Sequence, residues 1–88
     1  MAWTIEWDRR AAKDFWKLGE DAQRRILTYL RKHVETDANP RRVGKALLGR
    51  KAGLWRYRVG DYRIVCRIED DRVVVLVLAV GHRSKVYE

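Results

Sequence analysis

The 88-residue sequence predicts an α+β fold, a small antiparallel sheet with two N-terminal helices packed on one of its faces. Three observations predict it. Apolar residues recur at helical spacing between residues 9 and 34, the last third alternates by twos, and dipeptides of Gly and Asp punctuate that last third. A chain this short supports one hydrophobic core, so residues 1–88 are expected to form a single domain. Apolar residues at 47% exclude a wholly disordered chain, and four Trp, four Tyr and one Phe supply large buried area per residue.

The segment WTIEW, residues 3–7, is β-branched and aromatic with alternation, and reads as a strand whose pairing partner the sequence leaves open. Asp8 is placed to cap a helix through DRRAAKDFWKL that Gly19 stops, with Ala11, Ala12, Phe15 and Leu18 as its buried stripe. Asp21 opens a longer helix to about Val34, with Ala22, Ile26, Leu27, Leu30 and Val34 on one face. Its other face carries Arg24, Arg25, Arg31 and Lys32, solvated cations that could make outer contacts to a polyanion. Pro40 ends that helix region, because the residue before a proline is pushed out of the helical conformation. Residues 41–53 read as an irregular basic connection, with Leu47 and Leu48 tucked into the core.

Three strands then form a meander: LWRYRV (54–59), YRIVCRIE (62–69) and RVVVLVLAV (72–80), joined by Gly60-Asp61 and Asp70-Asp71. Gly81 is expected to break the last strand. A two-residue turn at 60–61 pairs Val59 with Tyr62, and counting outwards puts Trp55, Tyr57, Val59, Tyr62, Ile64, Cys66 and Ile68 on one apolar face. Cys66 then lies opposite Val75 as a buried small hydrophobe, and His33 reads as structural. On the other face Arg58 lies across from Arg63, Arg56 across from Val65, and Leu54 across from Arg67, with Val65, Leu76 and Leu78 as apolar walls. Like charges directly opposed on a sheet are destabilising. Edge cations that discourage aggregation explain an outer-strand arginine, but Arg63 is on the middle strand. A converging arginine cluster instead suits a phosphate, which planar guanidinium forks grip bidentately. The tail HRSKVYE leaves from the same end, so Arg83 and Tyr87 can fold over the cluster, with His82 beside them.

The charge balance agrees. Twenty Lys and Arg against twelve Asp and Glu give a formal +8, a surface that attracts polyanions. One cysteine makes no intrachain disulfide, the start MAWTIEWDRR carries charge where a signal peptide would be apolar, and the longest apolar run is eight residues. A cytoplasmic protein with no membrane partner is therefore expected. The sequence shows neither Walker-type glycine spacing nor a His/Cys/Asp/Glu cluster of ligand spacing, so no cofactor and no metal are expected.

Taken together, DRRAAKDFWKL, GLWRYRVGDYRIVCRI (53–68) and VGHRSKVY (80–87) resemble the RelE/ParE superfamily of bacterial type II toxins, and more its RelE branch. The resemblance spans nearly the whole chain. It implies a small sheet with two N-terminal helices and a ribosome-dependent endoribonuclease, metal-independent, that cuts mRNA in the ribosomal A site through the RNA's own 2′-hydroxyl and inhibits translation. Matched position by position, the RelE active site falls on Arg56, Arg58, Arg63, Arg83 and Tyr87. Arg50, Lys51, Arg67 and Lys85, with Arg24, Arg25 and Arg31 behind them, would contact RNA or the ribosome. Arg56 and Arg58 stand where RelE proteins often carry lysine, and arginine is a poor general base. The base is then Tyr87, or His82, or the ribosome's alignment of the mRNA replaces one. The implied partners are mRNA on the 70S ribosome and a cognate RelB-like antitoxin with an acidic or amphipathic segment. Operator DNA would be reached only through that antitoxin. The rival implication is a ParE-like DNA gyrase inhibitor without nuclease activity, whose members tend to lack the full set of strand and tail cations. A further rival is an inactive co-repressor.

Overall fold

A computed structural model describes residues 2–83. Five strands and two helices follow in the order β1 (Thr4–Trp7), α1 (Arg9–Trp16), α2 (Glu20–His33), β2 (Lys45–Ala46), β3 (Trp55–Val59), β4 (Tyr62–Glu69) and β5 (Val74–His82). Asp8 caps α1 as expected, its carboxylate accepting from Arg10 N–H at 3.1 Å. Gly19, with extended backbone, is the N-cap of α2, and Glu20 and Asp21 in the first turn complement the helix dipole.

The strands form one sheet in the order β1-β5-β4-β3-β2. It is mixed rather than antiparallel, because β1 runs parallel to β5, Thr4 beside Val74 and Trp7 beside Val77. Asp8 N–H donates to Val77 O at 2.9 Å, and from there α1 lies back against β5. Alternation in WTIEW encodes a strand but not its partner, and here the chain direction into α1 decides the pairing. The two-residue β2, antiparallel to β3, adds an element inside the segment read as irregular.

Both helices cover one face. Ala11 and Phe15 of α1 and Ile26 and Leu30 of α2 meet Tyr57, Val59, Ile64, Cys66, Val75, Val77 and Val80 from the sheet. Each fully buried large apolar side chain contributes about 1.5–3 kcal/mol, so this face supplies the stability of the fold. Burial also raises the Cys66 thiol well above its ordinary range. Leu47 is only half-buried and Leu48 is 85% exposed, so the pair does not enter the core as expected. Gly44 and Gly49, both at positive φ, turn the chain on either side of β2 and hold these leucines at the surface.

The β4–β5 turn also departs from expectation. Asp70-Asp71 does not close a two-residue hairpin: Glu69 pairs with Val74, and the turn runs through Arg72 and Val73, with Val73 at φ 54°. A tight hairpin turn of that kind wants glycine, which this dipeptide lacks. Instead Arg72 donates to Glu69 at 2.7 Å and to Glu6 at 3.0 Å, while Arg41 grips Asp70 with two bonds of 2.9 and 2.8 Å. A two-residue shift preserves strand faces, so Cys66 stays in the core but faces Val77 rather than Val75. A β-bulge between Val65 and Cys66 then leaves Leu78 as an extra residue on β5. Val77 and Val80, an odd interval apart, both reach the core because of it. Gly81 does not end the strand; it pairs with Arg63 inside it.

Two stability outcomes follow. Tyr57 is fully buried and its hydroxyl donates to Pro40 O at 2.8 Å, so Tyr57→Phe should cost about 1–2 kcal/mol in urea unfolding. The Arg41 guanidinium lowers the Asp70 carboxyl below its ordinary 3.8, so this pair stabilises the fold above that pH and stops doing so as pH falls through the lowered value. Asp70→Asn should therefore lower the melting temperature at pH 7, with the difference from wild type vanishing in acid below the lowered carboxyl value.

Candidate nucleic-acid interface

On the face of the sheet turned away from the helices, two adjacent cross-strand rows set cations opposite one another. Arg58 on β3 lies directly opposite Arg63 on β4, and Arg63 in turn faces Gly81 on β5. One row further along, Arg56 faces Val65, Val65 faces Ala79, and Lys45 of β2 faces Arg56. Each row thus opposes two cations across one strand pair, a cost of a few tenths to about 1 kcal/mol per pair. Lys45 escaped the sequence reading, because a two-residue strand among glycines has no periodicity to reveal its face. Its place beside Arg56 is visible only in the pairing.

The cations have different surroundings. Arg58 is exposed, with only a long 3.4 Å bond from Nε to Gly60 O. Arg56 is half-buried, and its Nε is buried with no hydrogen-bond partner among the described residues. Arg63 is half-buried, with Nε and Nη1 shielded from solvent. Gly81 across from it presents no side chain, which leaves lateral room beside the guanidinium. Arg83 is exposed and joins this end through its backbone, whose N–H donates to Asp61 O in the β3–β4 turn at 2.8 Å. The ring of His82 meets Tyr62 edge-on at 6.1 Å. Tyr87 and Lys85 lie outside the described residues.

The outer contacts sort themselves by geometry. Arg25 of α2 reaches the β3–β4 turn, where a Cβ on Gly60 would sit 2.9 Å from its Nη2. Lys51 lines a cleft of about 690 Å³ with Tyr62, Gly81, His82, Arg10 of α1 and Lys17 at its C-cap, the last two being cations that the sequence reading did not single out. Arg67 is at the opposite end of β4 and is paired with Glu69 at 3.2 Å. Arg24 is paired with Asp21 at 3.1 Å, while Arg31 and Arg50 are exposed.

A sheet face that opposes cations and sets a glycine beside half-buried Arg63 can hold a polyanion. The chain matches, over residues 5–87, the family model described as the ParE toxin of the type II toxin–antitoxin system parDE. The chain belongs to the RelE/ParE toxin family. Within it, the relatives are RelE-like. It is similar to toxin RelG of Mycobacterium tuberculosis, 35% identical over 99% of this chain and 98% of that one. It is also similar to the mRNA interferase toxin RelE of Escherichia coli, 34% identical over 99% of this chain and 92% of that one. Its fold is similar to a chain in the M. tuberculosis RelBE2 toxin–antitoxin complex, with TM-score 0.84 and 29% identity over 97% of this chain and 95% of that one. The two helices over a sheet in this RelE-like chain are the arrangement expected from the resemblance. No helix among the described residues is long and apolar enough to cross a membrane.

The repulsive register has a measurable consequence. Arg58→Thr, which replaces an opposed cation with a β-former, should raise unfolding stability by about 0.2–1 kcal/mol. Urea denaturation checks it; a loss of stability would show that the pair is not repulsive.

Proposed function

We propose that this RelE-like chain is the toxin of a type II toxin–antitoxin pair and a ribosome-dependent mRNA endoribonuclease. The observation that supports this reading is the outer face itself, where Arg58 opposes Arg63 and Arg56 opposes Lys45 at a cost to stability. The mRNA interferase name of the E. coli relative supports it at the level of the family.

Cleavage through the 2′-hydroxyl needs a proton removed, charge on the in-line phosphorane neutralised, and the departing 5′-oxygen protonated. Arg63, Arg58 and Arg56 neutralise the phosphorane, with Arg83 arriving from the Asp61 turn as the fourth cation. Guanidinium groups stay charged at all physiological pH values, so this work requires no metal and they accept no proton. Tyr87 or His82 takes the proton from the 2′-hydroxyl and returns it to the departing 5′-oxygen, while the ribosome holds the mRNA in line for attack in its A site. The unspent positive charge also suits an antitoxin of RelB type, whose acidic or amphipathic segment would cover this face and silence the toxin.

Adding the wild-type chain to a translating extract should yield mRNA cut within A-site codons without added metal. Arg63→Ala should slow cutting by roughly 10²–10³, by analogy with the loss of one transition-state donor. The double variant Arg63→Ala/Arg83→Ala should be folded by circular dichroism, bind antitoxin, and no longer arrest growth. Intact mRNA together with trapped gyrase–DNA complexes would replace this reading with gyrase inhibition.

A further inference from the structure

Beyond β2, the edge of β3 opens into a second cleft of about 290 Å³, lined by Tyr29, Gly44, Lys45, Arg56 and Arg58. We propose that this cleft is a nucleotide subsite, holding the residue of the RNA next to the scissile phosphate. Lys45 contacts its phosphate, Arg56 bridges that phosphate and the scissile one, and Tyr29 contacts the base. The inference rests on the nuclease reading above and adds the residues that would set the strand's path.

The lining carries three cations and no carboxylate. Arg56 Nε, buried and without a hydrogen-bond partner among the described residues, is a donor awaiting an acceptor. A buried donor left unsatisfied is costly, and a phosphate oxygen would satisfy it with a charge-assisted bond. Spacing favours a second phosphate. Neighbouring strands lie about 4.8 Å apart and the two rows are offset by two residues, so the backbones at Lys45 on β2 and Arg63 on β4 stand roughly 12 Å apart across β3. Cations rooted this far apart can each hold a separate phosphate along one RNA strand.

The aromatic wall is held in place. The Tyr29 ring packs 4.9 Å from His33 and 6.1 Å from Tyr57, and the half-buried residue lines the cleft. Burial raises its phenol above the ordinary range, so it stays a neutral donor. A fixed aromatic beside a basic groove is how proteins stack unpaired bases without reading sequence. Gly44 makes the arrangement possible. At φ 82° it presses against β3, where a Cβ would collide with Arg56 O and with Trp55 Nε1, and this approach delivers Lys45 into register with Arg56.

The test measures binding apart from cleavage. A fluorescein-labelled hexanucleotide with 2′-O-methyl riboses cannot be cut by 2′-hydroxyl attack, and its anisotropy reports affinity across a salt series. Each phosphate contact in a single strand adds about 0.7 to the slope of log affinity against log salt. Lys45→Gln should weaken binding several-fold and reduce that slope by about 0.7. Tyr29→Leu should weaken binding roughly ten-fold at unchanged slope, while Tyr29→Phe restores it, the signature of stacking. Circular dichroism melts confirm that each variant is folded. An unchanged slope for Lys45→Gln overturns the subsite, and leaves the nuclease reading standing if the wild type still cuts mRNA on ribosomes. So does a Lys45→Gln variant that binds RNA normally but loses the antitoxin. A wild type whose RNA binding depends on Lys45 yet cuts nothing supports the subsite and overturns the nuclease.

Discussion

Everything on the outer face depends on the turn at Gly60-Asp61. Gly60, at φ 59°, adopts a backbone conformation that other residues resist, which closes the hairpin in two residues and pairs Val59 with Tyr62. From that single constraint the alternation of β3 and β4 sorts itself: Tyr57 and Ile64 inward, Arg58 and Arg63 outward and opposed. A slip by one residue would bury the arginines and expose the core, so the register is enforced by the whole apolar face. The same turn then serves the tail, since Asp61 O accepts from Arg83 N–H.

The balance of magnitudes explains why such a face persists. Opposed cations cost at most about 1 kcal/mol per pair, while Tyr57, Ile64, Val75 and Val77, all fully buried, contribute several times as much on the opposite side of the same strands. Stability is therefore concentrated on the helix-covered face and spent on the bare one. Four carboxylates of the described region form ion pairs elsewhere: Glu69 and Glu6 hold Arg72, Asp70 holds Arg41, and Asp21 holds Arg24. None of these pairs neutralises the Arg58–Arg63 row.

How much of this the chain announces in advance depends on how locally each feature is encoded. The arginine register is legible because Gly-Asp between two alternating runs specifies a turn and leaves nothing else to choose. The β4–β5 register is not, since Asp-Asp names a turn without naming its length, and the ion pairs of Arg72 and Arg41 that shape it come from residues far away in sequence. The parallel placement of β1 follows from where α1 must lie. Leu48 looks apolar enough for the core, yet two glycines at positive φ hold its segment at the rim. Lys45 was hidden for the same reason, its strand being too short to show a period. That Arg56, Arg58 and Arg63 share one face could be read from residues alone; the cation beside them, and the cleft with Tyr29, required coordinates.

The bulge at Leu78 divides β5 into two halves with separate obligations. Below it, Val74–Val77 are clasped between β1 and β4 and serve as scaffold. Above it, Ala79–His82 are bonded to β4 alone and carry Gly81 to Arg63. The extra residue works as a phase adjuster: it lets the upper segment keep its own inside–outside parity, whatever the lower one requires. A change of register in one half is therefore absorbed at the bulge and leaves the facing of the other half as it was.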